Sequence, residues 1–252
     1  EKLEITIYHK SKVYSQNYVR GKPKTKVKIE KCNKSLRGTK VSFVPDKEIF
    51  ESIFFSPKKL YSFIQMKAVL VKDTKISFSI DKELITDETP HRDKFHYSKG
   101  IIDFMQNNFS ARKKIIAQDF HVNLDLNFKE KCEIYISFNT LEQSSLMSYC
   151  NTIETPDGGS HENAIKNGLL KSIKLYGKKN QFTKINNINS NDIINYSDII
   201  ISIFMNEPTF EGQTKKRITM PMLQKQLEDI MQNEFLIWLN SNKKIAVKLI
   251  EI

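Results

Sequence analysis

The sequence predicts an α+β protein built from two successive sheet-and-helix regions. Three observations carry this. Stretches with the period-two alternation of half-buried strands fall in two blocks, stretches with helical spacing follow each block, and an asparagine-rich segment at Asn107 and Asn108 separates the regions. The expected domains are residues 1–108 and 109–252, and 252 residues suffice for two cores of ordinary size.

In the first region LEITIY, KVKIE, TKVSFVP and KISFSI alternate apolar and polar residues, the mark of antiparallel strands with one buried face. Between the last two, SPKKLYSFIQMKAVLV begins with Ser56 as an N-cap and Pro57 at the first helical position. Leu60, Phe63, Ile64, Lys67 and Ala68 then keep helical spacing, so one helix is expected against that sheet. FHYSKGIIDFMQNN adds a short strand and a second helix.

The second region restarts with HVNLDLNF and CEIYISFN, two alternating strands expected to meet at the charged turn KEKC. A turn over residues 156–159 leads into a helix near Ser160, which the glycine at 177 is expected to cap. Its buried stripe is Ile165, Leu169, Ile173 and Tyr176, and Lys171, Lys174 and Lys178 lie opposite, with Lys166 nearby. IIISIFM reads as a central strand, and MLQKQLEDIMQNEFLIWLN as a long amphipathic helix through Leu223, Leu227, Ile230 and Met231.

Net charge is +11, and residues 10–40 hold eleven Lys or Arg against one acid, Glu30. Such a field supports salt-dependent binding to nucleic acid, and a solvated basic hairpin in a Lys-rich, Asn-rich chain has the same composition. Cys32, Cys132 and Cys150 are odd in number and form no CxxC pair, which points to reduced thiols and a cytoplasmic protein. The longest apolar runs fall far short of the roughly 20 residues of a membrane span, so no membrane partner is expected. The chain opens at Glu1 on a strand pattern, without methionine or signal peptide, and is expected to be a fragment lacking its upstream part.

The sequence holds no GxxxxGK[ST], which excludes a P-loop. Gly158 and Gly159 read as a tight turn into the helix. His161, in HEN, lacks a second histidine at zincin spacing and reads as a first-turn residue, so no metal site is assigned. The run EPTFEGQTKKR (207–217) leaves the apolar strand through an amide, a hydroxyl and cations. Gln213, Thr214 and Lys215 offer hydrogen-bond donors and a mobile charge suited to a terminal phosphate, and a solvated strand exit reads the same way.

Four segments taken together carry a resemblance: RGTKVSFVPDKEIF (37–50), FHYSKGIIDFM (95–105), SYCNTIETPDGGSHE (148–162) and PTFEGQTKKR (208–217). In this order and spacing they resemble the B subunits of bacterial type II DNA topoisomerases, the gyrase and topoisomerase IV family. YVRGKP (18–23), SYCNT and FLIWL (235–239) look most like the alphaproteobacterial topoisomerase IV branch.

The resemblance implies the C-terminal part of a GHKL ATPase sandwich, followed by a transducer of the ribosomal-protein-S5 domain 2-like class. It further implies ATP with Mg2+, self-dimerisation of B subunits on ATP binding, a DNA-cleaving A-type subunit, and DNA as substrate. By this likeness Lys215 meets the γ-phosphate as sensor and electrostatic stabiliser, Gln213 holds its loop, and Thr39 lies at the adenine end. Lys166, Lys171 and Lys174 lie on the helix that in the family faces the cavity between paired transducers, where a lining for passing DNA and a solvated basic face have the same sequence. The family commonly places an acidic residue after QTK, whereas Lys216 and Arg217 follow here. Its catalytic glutamate and magnesium-binding asparagine belong upstream of Glu1, so the chain alone is expected to be inactive. Two rival readings stand: another GHKL ATPase such as a mismatch-repair protein, and a non-enzymatic basic nucleic-acid-binding module.

Overall fold

The computed structural model describes residues 1–109, 112–127, 130–140 and 144–250. Packing divides the chain into two compact units, Glu1–Leu60 and Tyr61–Ile252. Residues 61–108, which precede the boundary expected between residues 108 and 109, pack within the second unit.

The first unit is an antiparallel sheet of β1 (Lys2–His9), β2 (Lys12–Val19), β3 (Lys22–Pro23), β4 (Lys28–Lys31) and β5 (Gly38–Val44). The strands run β3-β2-β1-β5, with β4 also paired to β2. Lys10 and Ser11, at φ 48° and 62°, make the two-residue turn that joins β1 to β2, the backbone twist that short hairpins favour. The alternating pattern of β5 predicts one buried face, but every residue of β5 is exposed, Val41 at 56% and Phe43 at 59%. Period two fixes which residues share a face; a second layer is needed to bury it, and among the described residues of this unit no layer stacks there.

The second unit begins just after the first turn of α1 (Pro57–Leu70). Ser56 caps this helix as expected, its Oγ accepting from Lys59 N at 3.4 Å. The predicted stripe is shifted: Phe63 is 59% exposed, while Ala68, Val69 and Leu70 carry the burial. A hairpin of β6 (Lys75–Ser79) and β7 (Arg92–His96) sets Phe78 and Phe95 edge-on to Tyr61, and α2 (Ile101–Phe109) follows.

The main sheet comprises β8 (Phe120–Asn127), β9 (Glu130–Phe138), β10 (Ser145–Cys150), β11 (Ile153–Glu154) and β12 (Ser197–Phe204). Between β11 and β12 run α3 (Ser160–Lys179) and α4 (Ser190–Asn195), and α5 (Pro221–Ser241) and α6 (Lys243–Ile250) close the chain. Strand order is β11-β10-β12-β9-β8, so β12 is central, as its apolar run predicts. It runs parallel to β10 and antiparallel to β9. Of the turn expected at KEKC, Lys129 lies outside the described residues, and Glu130, Lys131 and Cys132 are strand.

Alternation sends the two faces of this sheet to different layers. Ile134, Ile136, Phe138, Ile199, Ile201 and Ile203 join Ile165, Leu169 and Ile173 of α3 and Leu227, Met231 and Phe235 of α5 in one core. Tyr135, Tyr149 and Ile200 face the other way, onto Val69 and Leu70 of α1 and Ile101, Phe104 and Met105 of α2. The stripe of α3 is buried as predicted, but its C-cap is Asn180 rather than the expected glycine. Gly177 lies inside the helix because the chain folds back: a Cβ there would stand 1.2 Å from Ile185 Cδ1.

Candidate functional site

After β12 the chain makes a narrow loop whose arms are joined by a bridge between Phe210 and Ile218. Glu211 N donates to Arg217 O at 2.9 Å and Thr219 N to Thr209 O at 3.0 Å. At the tip, Gly212 takes φ 80° and Lys215 φ 55°, the left-handed region that costs a non-glycine residue on the order of 1 kcal/mol. Residues 211–217 are all exposed.

A second set of bonds fastens this loop to the turn before α3. Ser160 N donates to Ile218 O at 2.9 Å, Ile218 N to Gly158 O at 3.1 Å and Asp157 N to Lys216 O at 3.1 Å. Gly159, at φ 133°, permits the approach, since a Cβ there would lie 2.2 Å from Ile218 O. The pair read from sequence as a simple tight turn is therefore also the dock for the loop.

The three consecutive cations sort themselves. Arg217 is committed to the loop base, its Nη1 donating to Asp157 O at 2.9 Å and its Nε lying 3.3 Å from Glu211. Lys215 has no carboxylate partner among the described residues, and its Nζ stands 6.0 Å from the centre of the Phe210 ring. Beside it, Asp157, Glu211, Thr214, Lys216 and Arg217 line an open polar hollow. An exposed ammonium on a doubly anchored loop suits an anionic oxygen. Gln213, expected to hold the loop, is exposed at its tip.

Behind the dock lies a buried polar chain that sequence reasoning missed. His161 is fully buried, its Nε2 3.1 Å from Thr155 Oγ1. Thr155 Oγ1 lies 2.7 Å from Ser148 Oγ, which donates to Glu162 Oε1 at 2.6 Å, and Lys166 Nζ approaches Glu162 Oε2 at 3.4 Å. Burial pushes the imidazole down to about 4, and the charge of Lys166 adds to this. Ser148, Thr155, His161 and Glu162 all lie in the segment 148–162, but spacing along the chain does not show that Ser148 and Glu162 meet in space.

The remaining candidates lie on β5 and α3. Thr39 lies on β5 in the first unit, paired with Ile7 and exposed. Lys166 is ion-paired with Glu162, and Lys171 with Glu228, which also accepts from Asn167 at 2.9 Å. Lys174 lines an open hollow with Lys171, Leu175, Lys178 and Gln232. Among the described residues no three His, Cys, Asp or Glu side chains could together hold a metal ion, and no helix is long and apolar enough to cross a membrane.

The chain matches the DNA gyrase B family over residues 100–252. It is 34% identical to the B-type subunit of DNA topoisomerase 4 from Rickettsia felis, over 99% of its own length and 38% of that protein's. The topoisomerase IV ATP-binding domain of Francisella tularensis superposes with a TM-score of 0.80 at 26% identity, over 99% of this chain and 67% of that one. The B-type subunit of the DNA gyrase from Myxococcus xanthus gives 0.81 at 17% identity, over 98% and 70%, a likeness of fold. The matched segment runs through both faces of the main sheet, the buried His161 chain and the docked loop, and with them the chain belongs to the DNA gyrase B family, the B subunits of type II topoisomerases.

Proposed function

We propose that the chain is part of the ATP-operated clamp of a type II DNA topoisomerase, with Lys215 sensing the terminal phosphate. In this reading residues 1–108 are the C-terminal part of the GHKL domain and residues 109–252 the transducer. B subunits pair on ATP binding, act in the cytoplasm with a DNA-cleaving A-type subunit, and pass one duplex through another. The observation that carries the sensor role is the loop fastened at both arms with the exposed Lys215, free of any carboxylate partner among the described residues, at its tip.

Charge-assisted hydrogen bonds to a phosphate are strong, so the loop is held while the phosphate remains and released when it leaves. Lys215 also opposes charge developing on the transferred phosphoryl group. Gln213 and Thr39 supply the loop and adenine-end contacts in this reading. Magnesium would neutralise phosphate charge; the described residues offer no ligand cluster for it, and in this reading its ligands lie on a part of the subunit other than this chain. The chain alone neither hydrolyses ATP nor relaxes DNA.

The test is ATP turnover by the full subunit carrying Lys215→Ala. Turnover should fall about 10²- to 10³-fold, the usual effect of deleting one preorganised transition-state donor. Nucleotide affinity should change far less, because the adenine end makes separate contacts. Unchanged turnover would reject the role.

A further inference from the structure

The last turn of α1 carries a cation that is partly withdrawn from water and, among the described residues, has no acid beside it. Lys67 Nζ donates to Thr152 O and to Thr152 Oγ1, each at 2.6 Å, and the Phe63 ring lies 4.8 Å away. A half-buried ammonium must have its donors met, so these contacts fix the Lys67 head on the turn between β10 and β11.

That turn is unusual. Asn151 and Thr152 both have positive φ, 49° and 65°. Asn151 grips the far end of β12 with three bonds. Its N donates to Ile203 O at 2.9 Å, its Nδ2 to Met205 O at 2.8 Å, and its Oδ1 accepts from Met205 N at 2.9 Å. Met205 is the first residue beyond β12, the root of the loop that carries Lys215 at its tip.

We propose that Lys67 is a positioning residue: through the Asn151–Thr152 turn it ties the end of α1 to the root of the 205–218 loop, so that the helix and the loop move together. The tie itself stands on geometry alone. Its mechanical use rests on the sensor reading of Lys215: on the proposed division at residue 108 it would pass the loop's state back to the ATP-binding part.

Hydrogen exchange on this chain tests the tie without nucleotide. Lys67→Met keeps the length of the side chain and removes its donors. Amides at residues 205–218 should exchange about tenfold faster, while those of the β8–β9 ladder stay within about twofold, since local opening is independent of global unfolding. Lys67→Arg should restore protection. Should Lys67→Met fail to fold, Asn151→Gly, which suits the positive φ and removes the amide grip, should free the same amides. Where both variants fold, the double variant should be no faster than the single ones, the non-additivity of residues acting in one path. Uniform acceleration everywhere, or none in the loop, overturns the tie.

In the full subunit, Lys67→Met should lower kcat for ATP about tenfold with KM within about twofold, the mark of lost positioning rather than lost binding. If Lys215→Ala abolishes turnover and Lys67→Met leaves kcat intact, the mechanical use of the tie is wrong and the sensor stands. If Lys215→Ala is silent, the sensor reading fails while the exchange result keeps its meaning.

Discussion

One ring nitrogen of His161, Nδ1, lies in the core without a hydrogen-bond partner. Its tautomer follows from the neighbours. With the Ser148 hydroxyl donating to Glu162, Thr155 Oγ1 donates its single proton to Ser148 Oγ at 2.7 Å, which leaves its lone pairs free to accept from His161 Nε2–H. The opposite tautomer would strand an N–H donor, the costlier orphan, so the proton is assigned to Nε2. The folded state holds the ring neutral down to about pH 4, whereas an unfolded histidine takes its proton near 6.5. This contribution is complete above the unfolded value and is lost as pH falls toward the folded one, on the order of 3 kcal/mol in all. Urea unfolding of wild type and His161→Gln should therefore show a stability gap that narrows between pH 7 and pH 4.5. A constant gap would mean that the imidazole is not held neutral.

Among the elements, α3 shows how close packing overrides local punctuation. Gly168 lets α5 approach until a Cβ would stand 2.8 Å from Met231 Cβ, and Ser172 Oγ donates across to Gln232 O at 2.8 Å. Gly177 repeats the device against Ile185. Gly177→Ala gains about 1 kcal/mol of helix propensity but overpacks a core side chain, a cost of about 1–3 kcal/mol or more. The expected result is a net loss in chemical denaturation, relieved when Ile185→Ala is added; a stabilised single variant would contradict the packing. The stripe of α3, the central place of β12 and the span of α5 were legible because burial there follows a short period in the chain. Gly177 was not, since a glycine near the end of a periodic run looks like a stop until the returning segment is seen. Phe63 misled for the same reason: its spacing is helical, but burial on α1 is set by where α2 and the sheet lie. At the candidate site the loop was legible from its residue types, while its docking on Gly159, its ordering by Arg217 and the His161 chain all depend on contacts between distant segments.

Over the whole molecule, a net charge of +11 describes less of the surface available to DNA than the count suggests. Lys166 and Lys171 already face Glu162 and Glu228, so a phosphate must compete for them, whereas Lys174 has no acid partner among the described residues. If α3 lines a DNA path, Lys174→Ala should lower the slope of log affinity against log salt by about one, with Lys166→Ala and Lys171→Ala changing it less. Equal effects from all three, measured by titrating the full subunit with duplex at several salt concentrations, would point to a diffuse field instead.

The central position of β12 also orders the making of the protein. Until residues 197–204 leave the ribosome, β8–β9 and β10–β11 are two separate hairpins, each with an apolar edge waiting for the same late strand. In a nascent chain β9, with Ile134 and Ile136, therefore waits about sixty residues and β10, with Tyr149, about fifty for the strand that joins them, and a chaperone arriving in that interval would meet two open strand edges rather than a finished core.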